Sequence, residues 1–214
     1  MSQTTVTVTR AATADVPAVA SVLARAFQHD PVFAWSIPDP DRRRARLPGV
    51  FTAFAELYLP HEETYLTADG AGAALWAPTG VDPFAGGPGE AFGERIAEIL
   101  DEEEAQRCFT VGELFGEHHP AQPWMYLQLI GVEPDHQRRG LGSQLLSSVL
   151  ARCDATGTPA YLEAGTVDNR RLYERHGFDT IDEITLPDDG PPVWLMWREP
   201  ATGFGARGNG PVSR

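Results

Sequence analysis

Apolar positions recur along this chain with two periods, and the switch between them marks its elements. Residues 5–10 alternate β-branched and polar side chains, the signature of a half-buried strand. From Thr13, a residue suited to capping, Val16, Val19, Ala20, Leu23, Ala26 and Phe27 fall on one face of a helix that Asp30-Pro31 ends. A second helix is predicted over 42–58 from Leu47, Val50, Phe51, Phe54 and Leu57, with Pro48 near its start. Residues 64–66 and 71–76 read as a hairpin turning at Asp69-Gly70. The Gly- and Pro-rich stretch 78–89 reads as a mobile loop. Helical spacing returns over 90–117, where Phe92, Ile96, Ile99 and Leu100 face inward and the acidic run 101–104 forms a solvated face.

The second half is more regular. Residues 124–132 form an apolar run of the kind found in a central strand buried on both faces. Leu141–Thr156 follows as a helix striped by Leu141, Leu145, Leu146, Val149, Leu150 and Cys153, and Gly157 and Pro159 close it. Residues 160–164 read as a strand, 169–175 as a short helix stopped by Gly177, and 178–186 with 193–198 as closing strands. This order predicts an α/β sandwich in one domain over 1–199. The tail 200–214 carries too little apolar content to pack and reads as disordered.

Composition narrows the function. The chain has 214 residues, 42% of them apolar, and a formal net charge of −13. So acidic a protein is a poor partner for nucleic acid or anionic membrane, whereas a cationic amine is drawn to it modestly, the alternative being that the acidity serves only solubility. Cys108 and Cys153 are too few for a disulfide framework or a cysteine-rich zinc site. The first ten residues lack an apolar signal core and no segment has the length of a membrane span, so a cytoplasmic location is expected.

The most informative stretch is Gln137-Arg138-Arg139-Gly140-Leu141-Gly142, set between the apolar strand and the amphipathic helix. Glycines at a helix entrance leave backbone N–H groups bare for a phosphate. A Walker loop needs Lys-Ser or Lys-Thr after its last glycine, but Ser143-Gln144 stand there. A dinucleotide fingerprint needs a third glycine where Leu145 stands, and belongs to the first strand of its domain. The acyl-CoA pyrophosphate pattern Q/R-x-x-G-x-G/A is satisfied by Gln137, Gly140 and Gly142.

The run LIGVEPDHQRRGLGSQLL, with YLEAGTVDNRRLYERHGF further along, resembles the GNAT superfamily of acetyl-CoA-dependent acetyltransferases. Within it, residues 123–197 look like the puromycin N-acetyltransferase branch, through NxxxYERxGF and the late V-W-L-M strand. The resemblance is strong in the C-terminal half and extends to the N-terminal half only in its order of elements. It implies the GNAT (acyl-CoA N-acyltransferase) fold, a mixed central sheet flanked by helices and splayed at the central strand. It also implies that Ile130, Gly131 and Val132 lie along the pantetheine arm as a pseudo-strand, and that Arg138, Arg139, Gly140, Leu141, Gly142 and Ser143 wrap the pyrophosphate. Asn169 matches the asparagine that contacts CoA, and Tyr173 the tyrosine that protonates the departing thiolate.

Acetyl transfer from a thioester to an amine needs an uncharged amine, a stabilised oxyanion and a proton for sulfur. A backbone N–H near Val132 suits the second need and Tyr173 the third, the alternative for Tyr173 being a packed aromatic. Glu163 is the candidate base, with a structural polar role as its alternative, while Gln128 cannot act as one. His118-His119 precede Pro120 without a spaced third ligand, so no metal is expected, and Asp135, His136 and Ser143 lie too close in sequence for a triad. Phe27, Phe33, Trp35, Phe51, Phe54 and Tyr58 are assigned mainly to the core rather than to an acceptor pocket. The expectation is a small-molecule N-acetyltransferase, monomeric or homodimeric, using acetyl-CoA as cosubstrate. A protein or peptide N-acetyltransferase and a non-catalytic acyl-CoA-binding regulatory module are the alternatives.

Overall fold

The computed structural model describes residues 6–201. Seven strands form one sheet: β1 (Val8–Arg10), β2 (Thr64–Thr67), β3 (Gly72–Ala77), β4 (Met125–Val132), β5 (Ala160–Ala164), β6 (Asp179–Thr185) and β7 (Pro192–Arg198), in the order β1-β2-β3-β4-β5-β7-β6. All neighbours are antiparallel except β4 and β5. A parallel pair needs a crossover, and the helix α6 (Leu141–Thr156) supplies it.

One face of the sheet carries α1 (Val16–Ala26), α2 (Pro31–Ser36), α3 (Pro40–Tyr58), α4 (Gly87–Ile99) and α5 (Glu102–Glu117). Its core joins Leu23, Leu47, Phe51 and Ile96 to Leu75, Leu129 and Tyr161 of the strands. The other face packs Leu145, Leu146, Val149 and Leu150 of α6, with Tyr173 of α7 (Val167–Glu174), on Trp76, Leu127 and Leu162. Strand alternation separates the two sets. Helix α1 lies directly on β4 because residue 131 is glycine: a Cβ there would sit 2.8 Å from Ala26 Cβ and 3.0 Å from Leu23 Cδ2.

Three readings of the sequence need correction. The helical stretch 90–117 is two helices that break at residues 100–101; within the acidic run Asp101, Glu102 and Glu103 are solvated and Glu104 alone is buried. Asp101 caps α5 by accepting from the Glu104 N–H at 2.9 Å, while Glu104 is buried and accepts from Arg42 Nε at 2.7 Å. Asp30-Pro31 ends α1 but also starts α2, the Asp30 carboxylate accepting from the N–H groups of Val32 and Phe33. The stretch 78–89 turns Phe84 into an aromatic cluster with Phe54, Tyr58 and Phe92, and α4 begins inside it at Gly87. The first predicted strand spans Val8–Arg10 among the described residues, and most of the tail, 202–214, lies outside them.

Candidate active site

The site grows from a defect in the sheet. β4 and β5 pair at only three positions, Met125 with Ala160, Tyr126 with Tyr161 and Leu127 with Leu162, and then part. At that point β4 also slips against β3: Leu75 faces Leu129 and Trp76 faces Leu127, which leaves Gln128 as a bulge. Beyond the bulge the Glu133 N–H donates to Ala71 O at 2.8 Å, which sets the phase of the strand. Alternation then points the backbone of Leu129 and Gly131 at β3, and that of Ile130 and Val132 into the gap that β5 has left. Gly131 thus offers the gap no backbone group, its absent side chain serving α1 instead. Gln137 closes the end of the gap by donating from Nε2 to Val132 O at 3.2 Å.

The loop after β4 is built to leave N–H groups bare. Arg138 and Gly140 both adopt positive φ, 60° and 87°, and Gly140 occupies the N-cap of α6 with no side chain to satisfy the first turn. Leu141, Gly142 and Ser143 form that turn, whose N–H groups have no intrahelical acceptor. Among the described residues, no backbone acceptor outside the helix takes an N–H from residues 138–143. With the helix dipole behind them, these groups fit a pyrophosphate. Arg139 is exposed at the rim, and Leu141 is buried as an anchor.

The second motif lies against the first. A Cβ at Gly142 would touch Leu172 Cδ2 at 3.4 Å, and Ser143 Oγ is 3.0 Å from His176 Nε2. Thr166 caps α7 by accepting from the Asn169 N–H at 3.1 Å, which places Asn169 and Tyr173 on one face of that helix. Tyr173 is 4% exposed. Burial, then the charges of Asp30 and Glu163, push its hydroxyl well above the ordinary phenol value, so it remains a donor.

Glu163 points to the opposite face from Leu162, into a cavity of about 970 Å³ at the mouth of the split. Its side chain is 4% exposed; Tyr126 donates to Oε2 at 2.7 Å, and His119 Nε2 lies 3.4 Å from Oε1. Gln128 Oε1 accepts from the Tyr58 hydroxyl at 2.6 Å. The cavity is lined by ten aromatic side chains and by the carboxylates of Asp30, Asp82, Glu113 and Glu163. No arginine lines it among the described residues, and the chain contains no lysine. Phe27, Phe33, Phe54 and Tyr58 therefore border the cavity rather than forming core alone, whereas Phe51 is core and Trp35 donates to Pro187 O. No group of three metal-ligating side chains occurs among the described residues.

Residues 93–178 match the family described as Acetyltransferase (GNAT) family. The crystal structure of histone acetyltransferase HPA2 and related acetyltransferase from Corynebacterium glutamicum is 30% identical; the alignment covers 94% of this chain and 100% of that one, with a TM-score of 0.69. This chain belongs to the GNAT acetyltransferase family. Agmatine N-acetyltransferase, 15% identical with a TM-score of 0.66, covers 91% of the GNAT chain and is covered over 99% of its own, a likeness of fold. An uncharacterized N-acetyltransferase of Schizosaccharomyces pombe is 37% identical over 79 residues, 36% of this chain and 32% of that protein. An acetyltransferase of Agrobacterium fabrum is 30% identical over 82 residues, 37% and 60% of the two chains. The chain thus spans a third to three fifths of the curated relatives it matches.

Two residues that line the cavity are not picked out by the sequence. In the sequence Asp30 reads as a helix stop and His119 as a rejected metal candidate; both line the cavity with Glu163, brought there by contacts distant in sequence. Asp30 also carries a stability consequence. Burial pushes its carboxyl from the ordinary 3.8 up to about 6, against the opposing pull of the Phe33 and Val32 N–H groups. The folded state then holds this proton more tightly than the unfolded chain, so stability falls as pH rises from about 4 to about 6, and the full penalty persists above. At about 1.4 kcal/mol per pH unit this is about 3 kcal/mol. Asn at this position still accepts the capping bonds. Asp30→Asn is expected to stabilise the protein by up to about 3 kcal/mol at pH 7.5 and by little at pH 4. Urea unfolding at the two pH values checks this, and an equal effect at both would contradict it.

Proposed function

We propose that the protein is an acetyl-CoA-dependent N-acetyltransferase that moves the acetyl group directly to the primary amine of a small molecule in a ternary complex. The observation that carries this reading is the split between β4 and β5, which turns the Ile130 and Val132 backbone into a gap flanked by the bare N–H groups of residues 138–143. The gap suits a pantetheine arm, which pairs with strand backbone, and the loop suits the pyrophosphate, with Asn169 nearby. Acetyl-CoA supplies the activated thioester. The N–H groups of Ile130 and Val132 are the available donors to the oxyanion. Tyr173 holds a proton for sulfur, and the negative charge of Glu163 favours removal of the proton from the ammonium.

The cavity supports a particular acceptor. Carboxylates without an opposing arginine favour a cation and disfavour an acceptor that carries its own carboxylate. Ten aromatic side chains favour a bulky apolar body behind the amine. Acetyl-CoA consumption with aryl-alkyl amines, linear polyamines, free amino acids and lysine peptides is expected to be fastest with the first group. A lysine-free enzyme offers little amine of its own, so acetyl incorporation reports on the added acceptor. CoA binding without transfer to any amine would leave only the regulatory module, and peptides as best acceptors would overturn the small-molecule reading.

A further inference from the structure

Glu163 is enclosed by its neighbours. Its side chain is 4% exposed, and Oε1 is buried without a hydrogen-bond partner in the chain. The atom facing it, His119 Nε2, is likewise buried and unpartnered, 3.4 Å away. The rest of the imidazole is accessible, since the His119 side chain is 30% exposed and borders the cavity. The ring is fixed on several sides, edge-on to Trp124, Tyr126 and Tyr161 at centroid distances of 5.5, 5.1 and 5.6 Å. Its backbone N–H donates to Gly116 O at the end of α5. His118 cannot take its place, because its Nδ1 is 2.8 Å from Leu114 O.

We propose that His119 accepts the proton of the acceptor ammonium at Nδ1, and that Glu163 acts on it as the positioning residue that holds Nε2–H. Two facing polar atoms, both buried, are costly unless they pair, the Tyr161 hydroxyl being the further buried donor that acts on Glu163. When they do, the imidazole is fixed in the tautomer whose free nitrogen faces the cavity, and the carboxylate offsets the imidazolium charge that forms. The other titratable groups against the ring are the hydroxyls of Tyr126 and Tyr161. Burial and then the Glu163 charge push both well above the ordinary phenol value, so they keep their protons and leave the exchange to His119.

The balance closes. The ammonium gives one proton to Nδ1, the neutral nitrogen forms its bond to the acetyl carbon, and the C–S bond breaks with its electron pair on sulfur. Sulfur takes the Tyr173 proton, the nitrogen's second proton replaces it, and the imidazolium releases its own to solvent.

This proposal rests on the acetyltransferase reading, and two experiments separate their failures. Nitrogen NMR of the ligand-free protein is expected to show the Nε2–H tautomer for His119, with that preference lost in Glu163→Gln. A dominant Nδ1–H tautomer would overturn the proposal whether or not the protein turns over. With an amine that the wild type acetylates, His119→Ala is expected to lose about 10²–10³-fold in kcat/KM for the amine at neutral pH, while acetyl-CoA affinity is unchanged and added imidazole restores part of the rate. His119→Gln, which fills the same space, is expected to show the loss without a change in thermal unfolding. A His119→Gln rate within threefold of wild type, or a loss in His119→Ala that imidazole leaves untouched, would refute the role.

Discussion

Glu163→Gln is expected to lower kcat at neutral pH by about two to four orders of magnitude, the range spanned by positioned proton-transfer groups. Glutamine keeps the volume of the side chain, and its carbonyl oxygen still accepts the Tyr126 hydroxyl that now donates to Oε2 at 2.7 Å. What disappears is the negative charge, so the wall of the cavity survives while the proton leaving the ammonium loses the charge that offsets it. An amine that is already uncharged needs no such help. The deficit is therefore expected to shrink as the pH approaches the amine's own pKa, while the KM for acetyl-CoA stays constant because the gap at Ile130 and Val132 is untouched. Initial rates from pH 6 to 10 with both substrates varied measure this. A rate within threefold of wild type at pH 7 would reduce Glu163 to a structural anchor for Tyr126.

How much of this was legible in the sequence follows the range of the interactions involved. The loop 138–143 and the helix bearing Asn169 and Tyr173 are local constructions, in which glycine, a cap and helical spacing suffice, and their juxtaposition follows from the fold. The acidic run 101–104 is solvated at Asp101, Glu102 and Glu103 as its composition suggests, whereas the burial of Glu104 depends on the distant Arg42. The bulge at Gln128 has no sequence signature of its own, since it exists only in register against Leu75 and Trp76. His119 illustrates the limit most clearly. It sits in a Pro-bounded loop 44 residues before Glu163, and only the pairing of Tyr126 with Tyr161 brings the aromatic frame that holds it up to that carboxylate. Aromatic residues of α1–α3 satisfied a core pattern equally well, because a cavity wall and a core present the same apolar face to periodicity.

Tyr173→Phe is expected to lower kcat by about two to three orders of magnitude, with little change in acetyl-CoA affinity or thermal stability. The ring packs 6.0 Å from Phe178 within the second core, and phenylalanine preserves that packing. No hydrogen bond joins the Tyr173 hydroxyl to another side chain or backbone group among the described residues, so its removal breaks nothing in the fold. A rate unchanged at both neutral and high pH would take Tyr173 out of the chemistry. The charges around it make a sharper demand. The charges of Asp30 and Glu163 help to hold the hydroxyl's proton in place. A proton arriving beside Glu163 relaxes that hold at the moment sulfur needs it, so uptake beside Glu163 assists release at Tyr173. Removing Glu163 removes both the charge that supports proton uptake and part of the brake on Tyr173. The double variant Glu163→Gln with Tyr173→Phe is therefore expected to lose less than the product of the two single losses, the mark of residues acting as one unit. Strictly multiplicative losses would show instead that the carboxylate and the phenol act in independent steps.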